Sequence, residues 1–277
     1  MGWFEALVLG IVQGLTEFLP ISSSAHQSIV GQFFGGEDVG AAFTAITQLG
    51  TEAAVILYFR RDIARIITRW VGSLAGRVPR DDPDARMGWL VILGSVPIVL
   101  LGLLFQDAID SSLRNLWVTV AMLAGFAVVI GIADRTARNA RPLESLTWGH
   151  GVVFGLAQSL ALVPGVSRSG ATISAGLVLG YTREAAARYS FLLAIPAVVG
   201  SGVFKLADIA GDPVPPAWGP ILLATVVSFV VGYAVIAWLL RYISTHDFMP
   251  FVYYRLGLAA LVVVLLLTGV LEPLPQG

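Results

Sequence analysis

Residues 148–182 read WGHGVVFGLAQSLALVPGVSRSGATISAGLVLGYT. The stretch is apolar enough for lipid, yet it breaks near its middle. Pro164 removes a backbone donor and interrupts helix pairing, and Arg168 adds a charge that lipid tolerates poorly. An uninterrupted span needs about 20 mostly apolar residues. Residues 3–35 behave alike, broken by FLPISSSAH around Pro20. Broken backbone at membrane depth survives only when it is buried in protein or lines a wet cavity. Both stretches are therefore expected to be re-entrant helix–loop–helix hairpins. The plainer alternative is a pair of kinked spans.

The rest of the 277 residues supports a membrane setting. Hydrophobic residues make up 56% of the chain, charged residues 13%, and mean hydropathy is +0.81. A soluble domain carries about 25% charge, so most of this surface must face lipid. Net charge is -1, which leaves no basic field for nucleic acid. The absence of cysteine excludes disulfides, thiolate metal sites and cysteine nucleophiles. The start, MGWFEALVLG, has no basic segment or cleavage motif and is expected to be mature protein rather than a signal peptide.

Six spans are expected, at about 40–59, 87–105, 116–133, 189–204, 219–240 and 251–271. The last includes Arg255 only if that residue lies near an interface. Arginines orient the spans. They crowd segment 60–86, with Arg77 among them, and recur at Arg135, Arg138, Arg141, Arg183, Arg188 and Arg241. The alternate segments hold only Arg114 and Lys205. The arginine-rich side is expected to be cytoplasmic, with 36–39, 106–115 and 205–218 outside, Asp110 and Asp212 among them. Hairpin 3–35 would then enter from outside and hairpin 148–182 from inside. The fold class is all-α integral membrane: one polytopic domain of six spans and two hairpins.

An internal repeat ties the hairpins together. A shift of 145 positions lays Gly10, Gln13, Leu15, Ser22, Ser24, Gly31 and Gly35 on Gly155, Gln158, Leu160, Ser167, Ser169, Gly176 and Gly180. A shift of 99 lays Pro97, Val99 and Phe105 on Pro196, Val198 and Phe204. Matched hairpins on opposite sides form an inverted repeat, whose broken helices meet at the midplane and build a site there.

The two loops differ in chemistry. The first holds Glu17, three hydroxyls at Ser22, Ser23 and Ser24, and His26. The second holds Arg168 between Ser167 and Ser169, followed by Gly170. One offers acid, base and nucleophile candidates; the other offers a planar guanidinium suited to phosphate at a helix start that favours anions. A Glu17–Arg168 ion pair that merely locks the halves is the bland alternative. Gln13 and Glu17, four apart, share a helix face, and so do Gln48 and Glu52. The latter pair either supports the site from behind or is a buried polar packing pair. One of the serines is expected only to cap its helix. His150 and His246 are expected at the cytoplasmic interface.

At these residues the chain resembles the bacitracin-resistance family of undecaprenyl-diphosphate phosphatases. The family pattern is an [E/Q]-x-x-x-E helix, a P-x-S-S-[ST]-x-H loop and a P-G-x-S-R-S-G loop. Here these are Gln13–Glu17, Pro20–His26 and Pro164–Gly170; Gln48–Gly50 and the span around Pro196 also fit. The resemblance implies a hydrolase that recycles the lipid carrier of peptidoglycan synthesis at the bacterial inner membrane and lowers bacitracin sensitivity. Its site would open to the outer face. It implies a divalent cation, Mg2+ or Ca2+, with Glu17 as the catalytic acid or metal ligand. Arg168 would clamp phosphate with Ser22, Ser24, Ser167, Ser169 and Gly170, and Ser23 with His26 would form the nucleophile–base region. Whether serine, histidine or water attacks stays open. The expected partners are the lipid diphosphate and the bilayer, with a homodimer as an option. The rival from another class is a polyprenyl-phosphate transporter, since inverted repeats also suit alternating access.

Overall fold

The computed structural model describes residues 1–34, 40–79, 81–210 and 216–274. Gly35, segment 36–39 and Asp212 of the expectations above lie outside them. The described residues are mainly helical, with no strand among them. In chain order the helices are α1 (Trp3–Thr16), α2 (Ser23–Gln32), α3 (Gly40–Tyr58), α4 (Arg60–Leu74), α5 (Pro83–Leu104), α6 (Gln106–Asp110), α7 (Leu116–Thr136), α8 (Trp148–Ser159), α9 (Arg168–Val178), α10 (Arg183–Ala210), α11 (Trp218–Ile243) and α12 (Met249–Leu267).

Five of them, α5, α7, α10, α11 and α12, are long and apolar enough to cross a membrane. The chain is a multi-pass membrane protein. Helix α3 forms too, but Gln48, Glu52 and several threonines dilute its apolar content, and it is not among the five. Helix α10 runs further back than the uncharged stretch 189–204. Its first turns keep Arg183 and Arg188 by pairing them, Arg183 with Asp134 at 2.6 Å and Arg188 with Asp62 at 2.9 Å.

The arginine-rich stretch 60–86 is not a plain loop. Residues 60–74 wind into α4, which folds back on α5. Trp70 meets Trp89 edge-on at 5.5 Å, Arg65 pairs with Asp84 and Arg69 with Asp82. Asp82 also caps α5, accepting from the amides of Asp84 and Ala85. The Arg69 guanidinium and those amides hold the Asp82 carboxyl below its usual range.

Arg255 departs most from expectation. It lies at no interface: it is fully buried. Its guanidinium donates to the carbonyls of Pro20, Met122, Leu123, Gly165 and Val166 at 2.7–3.3 Å. A cation inside an apolar bundle needs acceptors, and here the two broken loops supply three of them.

Two pairs of positions matched by the shifts have similar surroundings. Gly10 and Gly155 each let a short helix touch a long one. A Cβ on Gly10 would fall 2.7 Å from the Ala224 carbonyl of α11, and one on Gly155 would fall 2.6 Å from the Gly94 carbonyl of α5. Pro97 and Pro196 both sit inside long helices, α5 and α10. Among the described residues three buried clusters hold the helices together, the largest running from Phe18 and Phe59 through Phe154 and Tyr189 to Phe248.

Candidate active site

The site forms where the two helix breaks meet. Helix α1 ends with Glu17 as its last cap, and α2 starts again at Ser23. Helix α8 ends before a short 3-10 turn, and α9 starts at Arg168. The restarts are built alike. Ser22 and Ser167 have positive φ, 75° and 72°, unusual for residues other than glycine. Each hydroxyl accepts from the amide three residues on, Ala25 and Gly170, and each contacts a second serine at 3.1 Å, Ser24 and Ser169. Backbone in such a region costs about 1–3 kcal/mol and persists where the surroundings impose it. Here it turns both helix starts toward one another. Gly165, with φ 94° and the Thr119 carbonyl oxygen against the place where a Cβ would sit, has no room for a side chain.

Glu17 and Arg168, 151 positions apart, meet at 2.6 Å from Oε1 to Nη2. The other carboxylate oxygen of Glu17 accepts from Ser23 Oγ and from Gln13 Nε2, both at 2.7 Å. Gln27 in turn donates to Gln13 Oε1 at 3.3 Å and to the Leu9 carbonyl at 2.9 Å. Glu17 is thus aimed by a chain of amides, with one oxygen on a cation and the other on a hydroxyl. Arg168 Nη1 is buried with no partner, a donor left over for an anion.

These groups border a cavity of about 510 Å³. Glu17, Ser22, Ser23, Ser24, Gln48, Ser167 and Arg168 form its polar part; Ile98, Val99, Leu103, Leu162, Val198 and Phe204 line the apolar part. Both helix starts border it. Exposed amides and the helix dipole favour negative charge at such positions.

Other candidates sit elsewhere. Ser169 Oγ donates to the Leu19 carbonyl at 3.0 Å, and the Gly170 amide is spent on Ser167, so both brace the loops behind the cavity. His26 is not beside Ser23 Oγ as its base. Its Nδ1 is 2.7 Å from the Ser22 carbonyl, so Nδ1 carries a proton, and its Nε2 is 2.7 Å from the Tyr254 hydroxyl. The carboxylate that Ser23 Oγ donates to is Glu17. Glu52 is buried behind Gln48, with neither oxygen hydrogen-bonded. His150 contacts Tyr181 and Arg141, and His246 stacks on Tyr242 at 4.5 Å; neither approaches the cavity.

Three residues of this arrangement were not singled out by their sequence. Gln27 and Tyr254 carry no signal of their own. Arg255 does: a lone charge inside an otherwise uncharged 21-residue stretch, 251–271, is costly in lipid and asks for partners.

The whole chain has relatives among known proteins. Residues 6–261 match the family model described as bacitracin resistance protein BacA. The chain is 64% identical to the undecaprenyl-diphosphatase of Kineococcus radiotolerans, over 100% of this chain and 98% of that one. It is 60% identical to that of Micrococcus luteus, over 98% and 100%. It is 57% identical to undecaprenyl-diphosphatase 2 of Streptomyces coelicolor, over 99% and 98%. With the family model covering nearly the whole chain and relatives this similar end to end, the chain belongs to the bacitracin resistance protein BacA family.

Proposed function

We propose that the chain is an undecaprenyl-diphosphatase: a membrane hydrolase that converts a long polyprenyl diphosphate to the monophosphate and inorganic phosphate. The relatives' activity supports this. The observation in the chain that carries it is one carboxylate, Glu17, holding the Ser23 hydroxyl on one oxygen and Arg168 on the other, where a partly apolar cavity turns polar. In this reading the diphosphate sits at the polar end and the prenyl tail leaves along the apolar wall.

Ser23 Oγ attacks the terminal phosphorus and its proton passes to Glu17 Oε2. A Ser23 O–P bond forms, the bridging P–O bond breaks, and polyprenyl monophosphate leaves. Water then attacks the phosphoserine; Glu17 returns its proton to Ser23 Oγ and inorganic phosphate departs. Phosphoryl transfer needs mainly positioning and charge stabilisation. Arg168 supplies both, Nη1 toward the phosphate and Nη2 toward Glu17, with Ser22, Ser24 and Ser167 beside it. His26 positions the loop by fixing the Ser22 carbonyl.

The donors fit a hard divalent cation, Mg2+ or Ca2+, which takes oxygen ligands. Glu17, Glu52, Gln48 and the serines are all oxygen donors. Among the described residues no three His, Cys, Asp or Glu converge, so oxygens of the diphosphate would complete the shell. Such a cation, when bound, offsets charge on the transferring group.

The finer topology is six spans with α1–α2 and α8–α9 as re-entrant hairpins in an inverted repeat, in the bacterial plasma membrane. Contacts support it. Trp3 lies on Gly219 and Gln32 on Glu272, so both ends of α1–α2 reach the end where α11 starts and α12 has finished. Arg141 bridges to Tyr181 and His150 lies beside them, so both ends of α8–α9 stay at the opposite, arginine-rich end. The cavity adjoins the later turns of α5 and α10, away from those arginines, and so opens outward. Single cysteines at Arg77 and Arg138 should escape an impermeant thiol reagent in intact cells, while one at Ser112 should be labelled. The reverse pattern would overturn this orientation.

Transport as the sole activity is not favoured by the relatives, and a hydroxyl held on a carboxylate has no part in it. Purified protein in detergent, where transport is impossible, should release inorganic phosphate from undecaprenyl or farnesyl diphosphate when Mg2+ or Ca2+ is present. Folded protein that releases none would overturn the reading.

A further inference from the structure

The carboxylate expected to hold a cation is already occupied. Glu17 accepts from Arg168 on one oxygen and from Ser23 and Gln13 on the other. A carboxylate has about four lone-pair positions, so three strong donors leave Glu17 little for a metal. Taking a cation there would also set two positive charges on one group, the ion and Arg168.

Glu52 is the opposite case. It is 1% exposed, and neither oxygen has a hydrogen-bond partner. Its carboxyl lies within electrostatic reach of Arg168 and Glu17. Gln48, one turn earlier on the same face of α3, borders the cavity. Both residues therefore lie on the side of α3 that approaches the site. A buried carboxylate without partners is costly, and buried polar groups left unpaired call for a ligand or another specific explanation. Charge balance points the same way. A diphosphate adds several negative charges beside Glu17. The cations that border the cavity are Arg168, shared with Glu17, and Lys205; Arg255 lies behind the loops with its guanidinium spent on backbone carbonyls. Two cations against Glu17 and a diphosphate still leave negative charge in excess, and the Glu52 carboxyl oxygens beside it are unused.

We propose that Glu52, with the Gln48 amide oxygen beside it, is the protein's own ligand for the divalent cation that accompanies the diphosphate, while Glu17 stays with Arg168 and Ser23. Mg2+ is commonly held by one or two carboxylates together with substrate phosphates, and that is the donor set assembled here. The assignment rests on the diphosphatase reading for the identity of the anion.

The test is Mn2+ binding, which needs no turnover. Purified protein in detergent is titrated with Mn2+ in the presence of methylenediphosphonate, and free Mn2+ is read by its electron paramagnetic resonance signal. Glu52→Gln is near-isosteric and removes only a buried carboxyl without hydrogen-bond partners, so it should melt no lower than wild type. It should weaken Mn2+ binding by at least about tenfold, and Glu52→Asp, which keeps a carboxylate, should weaken it less. Glu17→Gln should cost less Mn2+ affinity than Glu52→Gln. Wild-type affinity in Glu52→Gln, a larger loss in Glu17→Gln, or no Mn2+ bound by wild type would each overturn the assignment. Were Glu52→Gln to unfold, Glu52→Asp and Gln48→Ala decide: weaker Mn2+ binding in either would support the assignment, and wild-type affinity in both would overturn it. Failure here leaves phosphate release intact, whereas failure of the diphosphatase reading would appear as absent phosphate release with Mn2+ still bound.

Discussion

Arg168→Ala, Glu17→Gln and Ser23→Ala are each expected to lower phosphate release by about 10²–10³-fold while the protein stays folded, the usual loss for a donor that acts in the transition state. The three losses have different causes. Arg168→Ala removes the guanidinium whose Nη1 is unpartnered and whose Nη2 steadies Glu17. Arg168→Lys keeps the charge but not the planar fork, so it should recover only part of the rate. Glu17→Gln is nearly isosteric, so its loss would report basicity rather than shape. Ser23→Ala removes the atom held at 2.7 Å from that base. His26→Ala is the control that separates mechanisms. His26 contacts the Ser22 carbonyl and Tyr254, so its loss should loosen the loop and cost less than the about 10²–10⁴-fold that a general acid–base group contributes. The measurement is inorganic phosphate release by variants that elute as wild type on gel filtration. If folded His26→Ala were as inactive as Ser23→Ala, histidine would replace Glu17 as the base. If folded Arg168→Ala and Glu17→Gln both kept wild-type turnover, this site would not be the catalytic one.

Much of this site was legible because its parts violate the rules of lipid. Proline, glycine, three serines and a charge have no reason to interrupt an apolar stretch unless the break is used, and the breaks at Pro20 and Pro164 marked both loops. The 145-position repeat added that the loops correspond, and Ser22 and Ser167 share their positive φ, their cap bond and their serine partner. Side-chain direction was beyond the sequence. Proximity in sequence joined His26 to the serines, but α2 carries His26 around to Tyr254 on α12, and nothing local announces a partner 228 positions away. Ser169 and Gly170 belong to the right motif, yet the tight turn spends them on the Leu19 carbonyl and Ser167. Helix α4 was missed for another reason. Its arginines were read for orientation, although the same stretch has an apolar face, of which Ile66 is buried while Ile67, Val71 and Leu74 stay exposed.

Arg255→Ala should be the most destabilising single substitution in the chain, by about 3–5 kcal/mol, the range for removing one partner of a buried charged interaction. Two of its five acceptors, Met122 and Leu123, are carbonyls inside α7 and keep helix bonds when the arginine goes. The other three, Pro20, Gly165 and Val166, belong to the broken loops and depend on it. Each buried acceptor left unmade costs about 1–3 kcal/mol, and a cavity replaces one of the largest fully buried side chains. Arg255→Lys should also fail to restore the network. One ammonium has three donors from a single point, and it cannot reach acceptors spread over both loops and α7. The loss should propagate to chemistry, because the carbonyls of Gly165 and Val166 precede Ser167 and Arg168, and that of Pro20 precedes the Ser22 turn. Thermal unfolding in detergent would read the stability, and phosphate release per folded molecule at low temperature would read the loop geometry. Both should fall for Arg255→Ala, and Arg255→Lys should lie between it and wild type. A variant that melts and turns over like wild type would mean that the two loops hold each other without the arginine, through Ser169 on Leu19, Ser24 on Gly165 and the Glu17–Arg168 pair alone.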